Sequence, residues 1–137
     1  MTVEGESVAD IGPGLLVFVG VTHDDTATVA SKLADKVGNL RVFDDAEGIM
    51  NRSLLDVGGA ALVVSQFTLY GDATRGRRPS WIAAAAPEVA EPLCDAFAVR
   101  LHDSGLQVET GRFRADMQVS LVNDGPVTLM LELAAAS

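Results

Sequence analysis

The sequence predicts one α+β domain, residues 1–137, in which a curled, barrel-like and largely antiparallel sheet packs against two main helices. One observation is the order of apolar patterns along the chain, which alternate between strand and helix periodicity as β-α-β-β-α-β-β. Another is the C-terminal third, where apolar and polar residues alternate as they do in half-buried strands. The third is length, because 137 residues, of which 48% are hydrophobic, suffice for one core but not for two.

The first half of the chain predicts a buried strand, a helix and a short strand. Residues 15–21 form a continuous apolar run, which is typical of a strand covered on both faces. Asp24 and Asp25 offer N-caps for a helix that follows. The apolar residues of this helix fall on one stripe: Val29, Leu33, Val37 and Leu40. Residues 41–43 are then expected to form a short strand, and residues 49–59 a loop.

The second half predicts another strand and a longer helix. Residues 61–69 form the strand. The helix is expected to begin near Pro87, because proline suits the first helical turn, and to end at Gly105. Its apolar residues are four apart: Val89, Leu93, Phe97 and Leu101. Pro92 either removes one backbone hydrogen bond from this helix or moves its start later.

Two alternating segments close the chain. Residues 117–122 and 127–133 each carry one apolar face, as expected of two strands. Between them, Asn123-Asp124-Gly125-Pro126 is a strong turn sequence, which on its own predicts a hairpin.

Composition favours a cytoplasmic protein. Cys94 is the only cysteine, so an internal disulfide is excluded. The first six residues have neither a basic start nor an apolar stretch, so no signal peptide is expected there. No apolar run approaches the roughly 20 residues of a membrane span, so no membrane contact is expected.

The charge distribution leaves two interpretations open. A net charge of −9 disfavours broad binding to nucleic acids. Three of the ten basic residues, however, lie within four positions, at Arg75, Arg77 and Arg78. Such a loop is either a solvated turn or a local patch that contacts the phosphates of a single-stranded RNA end.

Side-chain nucleophiles and metal chemistry find little support. Ser65 or Thr68 could attack a substrate only with a base in reach, and the two histidines, His23 and His102, belong to no recognisable triad order. The acidic clusters lack the spaced His or Cys residues of a metal site, and Cys94 lies where a buried, inert thiol is expected. The sequence therefore predicts no metal and no other cofactor.

Two strings carry the functional prediction. Ser65-Gln66-Phe67-Thr68-Leu69 and Asn123-Asp124-Gly125-Pro126-Val127-Thr128 each follow a predicted strand. Together with residues 75–80 and 110–119, they resemble the D-aminoacyl-tRNA deacylases, a family that removes D-amino acids and glycine from tRNA. The resemblance covers nearly the whole chain. It begins at the hairpin after the family's first strand, so the Arg-Val pair of that strand has no counterpart in the sequence given.

The resemblance implies roles for the first string and for one residue near the second. Phe67 and Thr68 are expected to be catalytic, with their backbone N–H groups forming an oxyanion hole around the ester carbonyl. Thr68 would position the substrate rather than attack it, while the ribose 2′-hydroxyl of the terminal adenosine assists the water. Ser65, Gln66 and Met117 are expected to bind the substrate.

The resemblance also implies a homodimer. In the family a cis Gly-Pro peptide, here Gly125–Pro126, projects its carbonyls into the active site of the partner subunit. There it would exclude an L-residue's Cβ while accepting D-residues broadly and admitting glycine. Arg75, Arg77 and Arg78 are expected to contact tRNA phosphates. The implied partners are the 3′ end of an aminoacyl-tRNA and a second copy of the chain, with no DNA expected.

The residues alone are also compatible with two other classes of function. One is a non-catalytic module that binds the tip of an RNA or DNA strand, and the other is a metabolite-binding homo-oligomer of the same fold. The intact pairing of the Ser65–Thr68 string with Gly125–Pro126 is the sequence feature that favours the hydrolase.

Overall fold

A three-stranded parallel sheet forms the centre of the protein in a computed structural model that describes residues 1–124 and 127–135. The strands in chain order are β1 (Thr2–Val3), β2 (Glu6–Ser7), β3 (Gly14–Val19), β4 (Phe43–Asp44), β5 (Met50–Arg52), β6 (Ala60–Ser65), β7 (Gln107–Thr110) and β8 (Met117–Gln118). The central sheet has the order β3-β6-β7, with Leu15 opposite Ala61 and Ala61 opposite Val108. Two smaller antiparallel sheets have the orders β2-β1-β8 and β4-β5.

Helices connect the parallel strands. They are α1 (Ala27–Asn39), α2 (Leu54–Val57) and α3 (Pro87–Asp103). Parallel neighbours need a crossover, which α1 and α2 supply between β3 and β6, and α3 between β6 and β7. Packing between α1 and α3 encloses the core on one face of β6, where Phe97 and Leu101 are almost fully buried.

Both main helices predicted from the apolar stripes are confirmed. The second begins at Pro87 and keeps Pro92 within it. Thr26, rather than Asp24 or Asp25, is the N-cap of α1, because its side-chain oxygen accepts a hydrogen bond from the backbone N–H of Val29. The Asp25 carboxylate instead accepts from the N–H of Thr22 at 2.9 Å, which closes the preceding turn.

The prediction was wrong in the closure of the sheet and in the direction of its central strands, although the two smaller sheets are antiparallel as expected. Among the described residues the largest sheet is entirely parallel, and no sheet closes into a barrel. The physical reason lies in β6, which is buried along most of its length between helices and the small sheet, as expected of a parallel strand.

The predicted C-terminal strands were also largely wrong. Only Met117–Gln118 pairs, with β1, and residues 119–124 and 127–135 lie in no strand. In the region predicted to be a loop, residues 49–59, the chain instead forms β5 and α2. Among the described residues, no helix combines the length and apolarity needed to cross a bilayer.

Candidate active site

A cleft of about 360 Å³ lies beside the C-terminal end of β6. The residues that line it are Phe18, Val64, Gln66, Ala115, Asp116, Met117 and Val119. Gln66 and Met117, both predicted to bind substrate, therefore lie on the same cavity although they are far apart in the sequence. The short pairing of β8 with β1 brings Met117 to this place.

The chain leaves β6 in a tight turn. The N–H of Gln66 still donates to the carbonyl of Val19 at 2.8 Å, which fixes the end of the sheet. Phe67–Tyr70 then form one 3₁₀ turn, in which the N–H of Leu69 donates to the carbonyl of Gln66 at 3.2 Å. The first N–H groups of any helical turn have no acceptor within the turn.

Phe67 and Thr68 supply those first N–H groups. Within residues 1–124 and 127–135, neither N–H donates to a backbone or side-chain acceptor. Two such donors in succession, directly after a residue that lines a cleft, can stabilise one developing oxyanion. The catalytic role expected of Phe67 and Thr68 stays a prediction.

The hydroxyl of Thr68 is engaged by an amide. Nε2 of Gln66 donates a hydrogen bond to Oγ1 of Thr68. In the part of the chain that the structure describes, no histidine or carboxylate is hydrogen-bonded to this hydroxyl. Without a base to accept its proton, Thr68 is a poor nucleophile.

Ser65 lies apart from the other residues of its string. Its neighbours in a second, much smaller cavity include Cys94, Thr110 and Arg112. Strand residues alternate between faces, so Ser65 faces α3 while Val64 and Gln66 line the cleft. Burial raises the pKa of the Cys94 thiol, and a hydrogen bond with Ser65 partly opposes that rise. The substrate contact expected of Ser65 stays a prediction.

The loop with three arginines is closed at its base. Asp72 and Ser80 exchange two backbone hydrogen bonds, of 2.8 and 2.7 Å. Inside the loop, Asp72 Oδ1 accepts from the N–H of Thr74 at 2.9 Å and from its hydroxyl at 2.6 Å. These bonds lower the pKa of Asp72. The side chains of Arg75, Arg77 and Arg78 are all exposed on this loop.

Sequence reasoning missed several residues of the site. Phe18 belongs to a uniformly apolar strand, so no alternation marked it as a residue that lines a cleft. Asp116 lies inside the string 110–119 and is the one carboxylate among the cleft residues. Trp81 follows the arginine loop, and its ring meets that of Phe67 edge to face, with centroids 5.4 Å apart. An aromatic residue adjoining a basic loop was the available signal for it.

Gly125 and Pro126, predicted to form a cis peptide and to contact substrate, lie outside the described residues. On either side of them, Nδ2 of Asn123 donates to Oγ1 of Thr128 at 3.3 Å. The described residues bring together no group of three His, Cys, Asp or Glu side chains that could hold a metal ion.

Comparison with known proteins agrees with the resemblance seen in the sequence. Residues 1–132 match the family described as D-Tyr-tRNA(Tyr) deacylase. A D-aminoacyl-tRNA deacylase of Brevibacillus brevis is 58% identical over 132 residues, which are 96% of this chain and 91% of the relative. One from Chloroflexus aurantiacus is 60% identical over 134 residues, or 98% of this chain and 84% of the relative.

Solved structures share the fold. A c-Myc DNA Unwinding Element Binding Protein superposes with a TM-score of 0.89 at 38% identity, covering 98% of this chain and 91% of that one. A probable eukaryotic D-amino acid tRNA deacylase shares the fold, with a TM-score of 0.66 at 18% identity over 77% and 78% of the two chains. The class is therefore a mixed α/β fold of the deacylase type. The chain belongs to the D-Tyr-tRNA(Tyr) deacylase family.

Proposed function

We propose that this protein hydrolyses the ester bond of D-aminoacyl-tRNA as a step of translation quality control. It also hydrolyses the ester that joins glycine to a non-cognate tRNA. The observation that carries the proposal is the pair of N–H groups at Phe67 and Thr68, which donate to no acceptor in the described residues and follow Gln66 of the cleft. The relatives named D-aminoacyl-tRNA deacylase support the reaction. The activity belongs in the cytoplasm, where charged tRNA is used.

The reaction requires only positioning and charge stabilisation. Water adds to the ester carbonyl carbon, and the carbonyl oxygen becomes an oxyanion that accepts hydrogen bonds from the N–H groups of Phe67 and Thr68. The intermediate then collapses, the bond to the ribose oxygen breaks, and that oxygen takes the proton that the water has lost. In this scheme the neighbouring 2′-hydroxyl of the terminal adenosine orients the water.

Thr68 acts as a positioning residue in this scheme. Its hydroxyl accepts from Gln66, which holds both side chains at the end of β6. A covalent acyl-threonine would require a group to remove the hydroxyl proton, whereas Nε2 of Gln66 donates a hydrogen bond to that hydroxyl and cannot take its proton.

Rejection of L-aminoacyl-tRNA is assigned to the main chain of Gly125–Pro126 from a second copy. Their carbonyls would occupy the space that the Cβ of an L-residue needs, whereas a D-residue directs its side chain away from them. Selection by exclusion accepts many D-side chains, and it admits glycine because glycine has no Cβ.

The assembly is therefore a homodimer. Support comes from the C-terminal segment, where large apolar side chains are exposed on the single chain: Leu121, Val122, Leu129 and Met130. Residues 127–133 keep the alternating pattern of a strand without forming one in the single chain. A second copy would cover these side chains and bring its Gly125–Pro126 to the cleft.

The test is release of the amino acid from D-Tyr-tRNA, L-Tyr-tRNA and Gly-tRNA by the purified protein. We expect hydrolysis of the first and the third and none above background of the second. Equal rates on D-Tyr-tRNA and L-Tyr-tRNA, or no hydrolysis of D-Tyr-tRNA, would contradict the proposal.

A second candidate is binding of a nucleic-acid end without catalysis. It is favoured by the similarity to the c-Myc DNA Unwinding Element Binding Protein, whose name states a DNA ligand. A net charge of −9 weighs against a duplex ligand for this chain. Tight binding of single-stranded DNA, combined with no turnover of D-Tyr-tRNA, would favour this candidate.

A further inference from the structure

We propose that Trp81 and Phe67 form a stacking platform for the unpaired bases that precede the terminal adenosine of the tRNA. This inference rests on the proposed function and adds a subsite to it, since it names how the single-stranded end is held outside the cleft. The exposed arginine loop of residues 72–80 lies next to the platform in the chain and would contact the phosphates of the same nucleotides.

The two rings form one unit with the turn that carries Thr68. Their planes meet at 73°, with the centroids 5.4 Å apart. The Trp81 ring also lies against Gly71, so closely that a Cβ added there would overlap Cζ3 of the indole. The N–H of Gly71 donates to the carbonyl of Thr68 at 2.9 Å. Any base stacked on Trp81 would therefore be held against the turn that supplies the proposed oxyanion hole.

The backbone on both sides of Trp81 is anchored. On one side, Ser80 exchanges its two hydrogen bonds with Asp72. On the other, Nε2 of His23 donates to the carbonyl of Ile82 at 2.7 Å, and the hydroxyl of Thr22 donates to the carbonyl of Ala83. A ring fixed in this way loses little conformational freedom when a ligand stacks on it.

Despite these anchors, both rings remain open to solvent, with Phe67 53% and Trp81 43% exposed. The bordering arginines are uncompensated. Within the described residues, no carboxylate lies within 4.0 Å of the guanidinium of Arg75, Arg77 or Arg78. A single-stranded nucleotide offers an aromatic ring and a phosphate in one unit, so it matches this pairing of an open aromatic face with free positive charge.

The fluorescence of Trp81 provides a direct test, because it is the only tryptophan in the chain. The ligand is a short single-stranded RNA that carries no amino acid and ends in cytidine, cytidine and adenosine. It is compared with the same RNA lacking the two cytosine bases. We expect saturable quenching of the emission by the intact RNA and weaker binding of the abasic one. Stacking on an aromatic side chain changes affinity by about 5- to 150-fold per base.

Variants test the ring itself, with binding followed through a fluorophore on the RNA. Trp81→Ala should weaken binding of the intact RNA by about 5- to 150-fold and bind both RNAs alike. Trp81→Phe should retain most of the affinity. The matched control is Ile82→Ala, which removes an adjacent and more exposed apolar side chain and should bind like the parent. Circular dichroism of each variant checks that the fold is kept.

Three results would overturn the platform. The first is that the parent binds the two RNAs with equal affinity, and the second is that Trp81→Ala binds the intact RNA as tightly as the parent does. The third is a tryptophan emission that changes with protein concentration but not with added RNA, as expected if a second copy covers the ring. Because the RNA carries no amino acid, there is no ester to hydrolyse, and these measurements do not depend on turnover. Binding through Trp81 with no hydrolysis of D-Tyr-tRNA would contradict the deacylase alone, whereas hydrolysis with unchanged affinity of Trp81→Ala would contradict the platform alone.

Discussion

The side-chain amide of Gln66 donates a hydrogen bond to the hydroxyl of Thr68 across the point where β6 passes into the 3₁₀ turn. Gln66 lines the cleft, and Thr68 supplies one of the two N–H groups in the following turn that donate to no described acceptor. This contact therefore joins the wall of the cleft to the turn that would hold the ester carbonyl.

The two side chains should act as a unit in catalysis. Thr68→Ala and Gln66→Ala are each expected to slow deacylation by roughly 5- to 150-fold, since loss of one such contact costs about 1–3 kcal/mol. The double variant should be little slower than the slower single variant, because both changes remove the same hydrogen bond. Single-turnover rates on D-Tyr-tRNA measure the coupling. Fully additive effects, or an isolated acyl-Thr68 intermediate, would contradict a shared positioning role.

Removal of one backbone donor should be more damaging. Phe67→Pro deletes an N–H that makes no hydrogen bond within the described residues, and proline is tolerated at the first position of a helical turn, which Phe67 occupies. We expect kcat to fall by about 10²- to 10³-fold, as for loss of an oxyanion donor. Phe67→Ala is the matched control, because it also loses the ring but keeps the N–H. Equal kcat values for the two variants would exclude this N–H from the reaction.

The substrate's own hydroxyl should matter more than any side chain. A D-Tyr-tRNA that ends in 2′-deoxyadenosine lacks the group proposed to orient the water, so it should be hydrolysed far more slowly than the normal substrate. Its binding should be little changed, and competition with the normal substrate measures that separately. A similar rate on both substrates would contradict this role of the 2′-hydroxyl and would indicate that a group of the protein activates the water.

Mixed dimers can test whether each site uses two copies of the chain. Phe67→Pro damages the cleft side, and Pro126→Ala damages the segment expected to come from the partner. Each variant alone should have little activity. Exchange of subunits at equal concentrations should restore about a quarter of the parental activity, because half of the dimers are mixed and each has one intact site. No recovery after verified exchange would place both residues in one chain's site.

Acid should weaken the contact between the two main helices. Arg100 binds Asp35 through two hydrogen bonds, of 2.8 and 3.0 Å, and this contact lowers the pKa of the Asp35 carboxyl below its ordinary value of 3.8. A carboxyl with a lowered folded pKa stabilises the fold above the unfolded value and loses that effect as the pH falls through the folded value. Asp35→Asn should therefore have a lower Tm than the parent at neutral pH, and the difference should vanish in acid. Asp10→Asn, which removes an exposed carboxylate with no described hydrogen bond, is the control and should keep the Tm of the parent.

The helices could be predicted from the sequence, but the pairing of strands could not. An apolar stripe of period 3.6 defines a helix by itself, so α1 and α3 were found. An alternating strand shows only which face is apolar and leaves open which edge it pairs with. Residues 127–133 therefore have the alternating pattern of a strand but pair with no other strand among the described residues. The uniform apolar runs of β3 and β6 are typical of parallel strands, which are buried on both faces. The prediction of an antiparallel sheet followed the alternation at the C-terminus instead.

Local capping was missed where the motif was unusual. Ser53 and Asp56 form a reciprocal cap for α2, in which the Ser53 side chain accepts from the Asp56 N–H at 3.0 Å and Asp56 accepts from the Ser53 N–H at 2.9 Å. The usual partner at the third position is Glu or Gln, so the short helix was taken for a loop. At the site, the string itself predicted Gln66 and Thr68, whereas Phe18 and Asp116 join the cleft only through tertiary packing.

The position of Cys94 behind Ser65 offers a way to time how often the protein opens around its site. The thiol is 6% exposed, and burial raises its pKa, so the reactive thiolate is scarce while α3 stays against β6. A maleimide would then modify the folded protein only during excursions in which helix and strand separate. Because Cys94 is the only thiol, the labelling rate would follow one local event without engineering. A ligand that binds the closed form would lengthen the interval between those excursions.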